Sequence, residues 1–206
     1  MAEERVPIYR NGIFCLEGDW WLDLKNVTSI EPVLKLLSDS HVARIPYIHR
    51  DIGTAGEFKY YLEKWTQSRY AKYPILYLGF HGKDGQIIMS DKRMAGSKVG
   101  LEDLEEWLKG KCHRRVIYFG SCETLTCSSA RLQKFLKKTN GLAVFGYRRT
   151  VDWIESTAME TIILGELQFN AMTRAGMNAV KRRVTGLLKG SRLYRDTGFR
   201  MIIRDK

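Results

Sequence analysis

The chain has 206 residues, 44% of them hydrophobic and 28% charged, with four prolines, four cysteines and a formal charge of +11. Those proportions exclude disordered, collagen-like and disulfide-scaffold proteins. At this length one core buries roughly 70% of the unfolded surface, so a single domain over residues 1–206 is expected, with no metal, disulfide or organic cofactor needed to hold it.

The opening MAEERVPIYR has no apolar stretch of leader length, and no later run approaches the roughly 18 apolar residues of a span. These features predict a cytoplasmic protein with reduced thiols and no membrane span. The charge is uneven. Residues 174–206 hold ten Lys or Arg against two Asp, a surplus of eight, which leaves three for the first 173 residues. The basic C-terminal segment therefore carries the excess.

Along the chain, short apolar runs alternate with helical periodicity. Gly12 to Gly18 reads as a strand, Ile30 to Leu37 as a helix with Pro32 in its first turn, and Ala43 to His49 as a strand whose Pro46 argues for a sheet edge. Phe58, Tyr61, Leu62 and Trp65 fall at i, i+3, i+4 and i+7 and mark an amphipathic helix over Glu57 to Arg69. Pro74 to Phe80 is an uncharged apolar strand, followed by a hairpin over Lys83 to Arg93 built on Asp84-Gly85. Leu101, Leu104, Trp107 and Leu108 give a helix and Val116 to Gly120 a second apolar strand. After these come a helix over Arg131 to Lys138, a strand over Gly141 to Tyr147, a helix over Ser156 to Met172, a basic helix over Ala175 to Lys189 and a last strand at Phe199 to Arg204.

Strands alternating with helices predict an α/β three-layer sandwich around a mostly parallel, roughly six-stranded sheet. In such a sheet the carboxyl ends of the parallel strands share one edge, where sites form. Two apolar strands end in reactive residues: Pro74 to Phe80 runs into His81-Gly82, and Val116 to Gly120 into Ser121-Cys122. Neighbouring positions for these strands bring an imidazole to a thiol, the pairing of a nucleophile with its base. The backbone N–H groups of Gly82 and Cys122 are candidate donors to an oxyanion.

An apolar strand ending in His-Gly, a helix, then an apolar strand ending in small-Cys, with 41 residues from His81 to Cys122, resembles the caspase-like cysteine peptidases. That superfamily also contains legumain, separase, metacaspases and the bacterial CHAT proteases. The resemblance extends more loosely over Gly12 to Met172. It implies a caspase-like fold and a Cys122–His81 dyad that cleaves a protein or peptide substrate through an acyl-enzyme, without a cofactor. Three features depart from the pattern. The chain reads G-S-C-E-T rather than the caspase string, Phe80 stands where legumain has an acidic residue, and the glycine that follows the cysteine in the family is missing.

The resemblance further implies that loops at the sheet edge charge the substrate pocket. Asp152, with Glu123 or Glu155, would favour a substrate Arg or Lys, whereas Arg148 or Arg149 would favour Asp or Glu; the basic preference is the reading taken. Ser121 is a further candidate for substrate contact.

Elsewhere, Cys15 reads as core, Cys112-His113 as surface, Cys127 as packing at a helix start, and His41 and His49 as structural. Cys112, His113, Cys122 and Cys127 do not have zinc spacing, and no phosphate loop is present. The basic helix is expected to pack Met177, Val180, Val184, Leu187 and Leu188 inward and to leave its charge in solvent. Nucleic acid is not expected as a partner, for want of aromatics among those charges. Small size leaves room for an activating protein. The rival classes are a non-catalytic interaction module of the same fold and a basic nucleic-acid-binding α/β protein.

Overall fold

The computed structural model describes residues 8–21, 23, 25–41, 44–91 and 96–205. In chain order the elements are β1 (Ile13–Glu17), α1 (Glu31–Asp39), β2 (Tyr47–Asp51), α2 (Ala55–Trp65), β3 (Ile75–Gly79), β4 (His81–Lys83), β5 (Gln86–Ile88), β6 (Lys98–Gly100) and α3 (Leu101–Trp107). They continue with β7 (Val116–Phe119), α4 (Ser129–Thr139), β8 (Ala143–Gly146), α5 (Trp153–Glu166), α6 (Arg174–Leu188), α7 (Arg192–Asp196) and β9 (Arg200–Ile203).

The main sheet has six strands in the order β2-β1-β3-β7-β8-β9. The first five run parallel, and β9 closes the sheet antiparallel to β8. Because side chains alternate along a strand, each strand feeds two cores. Ile13, Cys15, Ile75, Tyr77, Val116, Tyr118, Ala143 and Phe145 pack with α1, α5 and α6. Phe14, Leu16, Leu76, Leu78, Ile117, Phe119 and Val144 pack with α2, α3 and α4. This is the expected α/β three-layer sandwich with its six-stranded, mostly parallel sheet.

Pro46 lies just ahead of β2, which is indeed an edge strand. Residue 43 of the expected strand lies outside the described residues. The Asp84-Gly85 turn is present, both residues having positive φ (52° and 80°), as a two-residue hairpin turn requires. Its hairpin, however, begins at His81 and gains a third strand, β6; residues 92–95 lie outside the described set.

The starts of α2, α4 and α5 sit two or three residues earlier than periodicity predicts because caps set them. Thr54 accepts from the Glu57 N–H in a capping box, Ser128 caps α4, and Asp152 caps α5. Such a cap contributes about 1 kcal/mol.

Two expectations need correction. Cys112 is fully buried, its N–H bonded to the Thr139 carbonyl at 2.9 Å, while His113 is exposed. The flanking polar residues Lys111 and His113 mask the inward turn of the residue between them. On α6, Met177, Val180, Val184 and Leu188 are buried, but Leu187 is 62% exposed. Among the described residues, no helix is long and apolar enough to cross a membrane.

Candidate active site

β3 and β7 are paired directly, with Leu78 opposite Phe119. His81 and Cys122 each lie three residues beyond that pair. The hydroxyl of the buried Ser121 clips the two strands together, accepting from the Phe80 N–H (3.3 Å) and donating to the Leu78 carbonyl (3.2 Å). The Ser121 side chain is therefore turned to the β3 backbone. Gly82 packs so closely on the second strand end that a Cβ there would lie 2.0 Å from the Cys122 carbonyl oxygen. Only glycine permits that approach.

Two loops complete the surroundings. His81 is exposed, and its Nε2 sits 2.5 Å from the Trp20 carbonyl in the loop after β1. A carbonyl only accepts, so Nε2 carries a proton, and in the neutral tautomer the lone pair falls on Nδ1. The Trp20 ring stands edge-on to both His81 (5.4 Å) and Trp153 (5.0 Å). The half-buried Cys122 thiol faces the loop after β8, with Sγ accepting from the Val151 N–H at 3.4 Å. Glu123 takes a left-handed φ of 51° and accepts from the Thr150 hydroxyl at 2.9 Å. Asp152 is exposed and uses Oδ1 to cap α5, accepting from the Ile154 and Glu155 N–H groups. Arg149 directs its guanidinium to the Arg195 carbonyl, near α7.

The other thiols are held in check. Burial pushes the Cys15 thiol well up, carries Cys112 to about 12, and raises Cys127. All three stay protonated at neutral pH.

Beneath the Trp20 loop, Glu17 acts as a hub. Its Oε1 accepts from Trp20 Nε1 (2.6 Å) and the Ile30 N–H (2.9 Å), and its Oε2 accepts from the Ser29 hydroxyl (2.6 Å) and pairs with His49 Nε2 (2.7 Å). Burial opposes protonation of His49, but the Glu17 hydrogen bond and charge outweigh it and raise its pKa. His49 is structural, as expected, yet the partner that makes it so is invisible locally because it lies 32 residues away. Glu17, His49 and Asp51 have donor atoms within 4.8 Å of one another. Each Glu17 oxygen already has two partners, so the trio forms a pairing network rather than an open ligand set. Glu17→Gln leaves at least one of these buried donors facing an amide N–H. We expect a loss of about 2 kcal/mol in urea denaturation, with a red-shifted tryptophan emission as Trp20 loses its anchor.

A second buried network lies on the same face of the sheet, against α5. Tyr77 and Tyr147 donate to the two oxygens of Glu160 (2.7 and 2.9 Å). The Tyr77 hydroxyl lies directly under Gly120, where a Cβ would come within 2.2 Å of it. Neither the Trp20 carbonyl nor this cluster carries a motif; the alternation that turns Tyr77, Tyr118 and Tyr147 inward was the available signal.

No curated protein matches the chain. Among solved structures it is similar to a secreted C11 cysteine protease from Bacteroides thetaiotaomicron, determined with an irreversible peptide inhibitor. The identity is 10% and the TM-score 0.44, over 76% of this chain and 54% of that one. The chain thus spans about half the length of that protease. Residues 10–183 match the sequence profile of DUF6642, a family of unknown function, and the chain belongs to that family.

Proposed function

We propose that the protein is a cysteine-type endopeptidase of the caspase-like kind, with Cys122 as nucleophile and His81 as base and acid. The observation that carries this reading is the equal reach of His81 and Cys122 beyond paired strands, with Gly82 seated on the Cys122 backbone. In the mechanism, His81 Nδ1 takes the thiol proton as Cys122 Sγ attacks the scissile carbonyl carbon. The Gly82 and Cys122 N–H groups receive the oxyanion. Gly82 suits this role because Lys83 and Gln86 close the hairpin, so the Gly82–Ile87 pair is the non-hydrogen-bonded one and the Gly82 N–H points away from β5. The imidazolium then protonates the leaving amine as the C–N bond breaks. His81 next deprotonates a water, which attacks the thioester and releases the thiolate and the acid.

A basic substrate residue fits the charge around the thiol. Asp152 follows Val151, the residue that touches Cys122, whereas the Arg149 guanidinium is turned away. A hollow of about 220 Å³ beside Trp20 is lined by Asp19, Asp23 and Asp51 as well as Glu17, so acidic groups gather along the loop whose Trp20 carbonyl meets His81.

The test is labelling of the full chain with peptide electrophiles ending in Arg, Lys, Asp or Glu, read by mass spectrometry. Cys122 should be modified well before Cys15, Cys112 and Cys127, fastest by the Arg and Lys probes, and more slowly in His81→Ala. Equal modification of all four thiols, or indifference to His81→Ala, would overturn the dyad. Preference for Asp or Glu would overturn the basic specificity alone.

A further inference from the structure

The opposite edge of the sheet carries a second concavity that the peptidase reading does not use. A hollow of about 740 Å³ opens where the parallel strands begin, against Asn11 before β1, Pro46 before β2, Pro74 before β3 and Arg115 before β7. His81 and Cys122 lie at the other ends of these strands. A five-residue strand such as β3 separates the two edges by roughly 16 Å. The volume is that of a small-molecule site.

Its lining is one-signed. Arg10, Lys72, His113, Arg114 and Arg115 face it, and among the described residues no Asp or Glu does. Among the described residues, none of these five forms an ion pair.

Arg115 is the least expected of them. Only 7% exposed, it lies over the Trp65 ring at 4.7 Å and reaches two carbonyls, of Tyr73 and Gln67, each at a long 3.4 Å. A guanidinium has five N–H donors, so three find no acceptor among the described residues. A buried cation without a carboxylate is costly unless something anionic arrives to compensate it.

Arg10 and Arg114 hold left-handed backbone, with φ of 49° and 55°. That conformation is uncommon for arginine and, where the fold maintains it, tends to mark a site. Tyr9, 48% exposed, adds an aromatic face at the rim, and Pro46, Pro74 and Met172 supply apolar wall.

We propose that this hollow binds a nucleotide, with Arg115 and the surrounding basic side chains on its phosphates and Tyr9 against its ring. Guanidinium groups pair bidentately with phosphate oxygens, and a cleft of one sign with low-dielectric walls concentrates its counter-ion. Burial lowers the pKa of Arg115, a direction that a bound phosphate reverses. The site stands independently of the dyad.

The test is calorimetric titration of the full chain with ADP, inorganic pyrophosphate and a short single-stranded oligodeoxynucleotide. Because Arg115→Ala risks unfolding the site, the decisive variant is the exposed pair Arg10→Glu/Lys72→Glu. We expect saturable ADP binding that weakens with added salt, falls at least about tenfold in that variant, and is accompanied by an unchanged melting temperature of the unligated protein. Tyr9→Ala should weaken ADP several-fold and leave pyrophosphate unaffected. Absence of ADP binding at millimolar concentration, or binding indifferent to Arg10→Glu/Lys72→Glu, would overturn the site. Equal affinity for ADP and pyrophosphate would overturn the nucleotide assignment, and an oligonucleotide bound far more tightly than ADP would overturn the small ligand in favour of a strand.

Discussion

Cys122→Ala should reduce hydrolysis of an Arg- or Lys-containing peptide to the uncatalysed background, and His81→Ala should lower kcat/KM by about 10³-fold, within the usual range for general acid–base groups. The two losses differ in kind. Without Sγ no acyl-enzyme forms, whereas without His81 the nucleophile is present and only its base is missing. Added imidazole should therefore restore part of the His81→Ala activity and none of the Cys122→Ala activity. Both side chains are at least partly accessible, so melting temperatures should stay close to that of the parent protein. Loss of activity without loss of stability separates a chemical role from a structural one. If His81→Ala retains full turnover, the imidazole is not the base.

Stability should fall as pH rises from about 5 to 8, with Glu160 the main cause. Burial pushes its carboxyl from 4.5 up to about 7, against the opposing hydrogen bonds from Tyr77 and Tyr147. Below pH 4.5 the group is protonated in both the folded and unfolded states and costs nothing. Between 4.5 and 7 the folded protein holds a proton that the unfolded chain releases, so each rise in pH favours unfolding. Above 7 the buried carboxylate is charged and the full penalty, about 3 kcal/mol, is present.

His49 acts with the same sign. Its pKa is raised in the folded state, so its stabilising contribution is complete below its ordinary 6.5 and is lost as pH climbs through the folded value. Glu160→Gln cannot ionise and should flatten more than half of the slope in urea denaturation measured at pH 5, 6, 7 and 8, leaving the His49 part. A slope unchanged in Glu160→Gln would place its origin elsewhere.

The layers and the sheet were legible because alternation and helical periodicity are local: residues 13–17, 75–79, 116–119 and 143–146 announce themselves by burial on both faces. That His81 and Cys122 lie beyond the ends of neighbouring strands followed from strand order alone. What could not be read was whatever depends on atoms brought together from afar. The Glu17–His49 pair spans 32 residues and the Tyr77–Glu160 bond 83, and neither has a sequence signature. Arg115, one charge among many in the sequence, becomes distinctive only when its burial is known.

The basic C-terminal segment misleads in the opposite way. Its charge suggests a detachable tail. In the fold, α6 buries Met177, Val180, Val184 and Leu188, and β9 is the sixth strand of the sheet. Arg200 reaches back to the Leu125 and Cys127 carbonyls and the Ser129 hydroxyl. Removing residues 174–206 would uncover the core rather than merely strip charge.

The partner that orients His81 is the main-chain carbonyl of Trp20. No codon change at position 20 can delete it, since every amino acid carries the same oxygen. If Cys122 and His81 act as proposed, a saturation scan registers both as intolerant while position 20 reports only on its ring, and this carbonyl leaves no trace in the variant data. It would surface through insertions or deletions between Gly18 and Ser29, which move the carbonyl without altering any residue near the thiol.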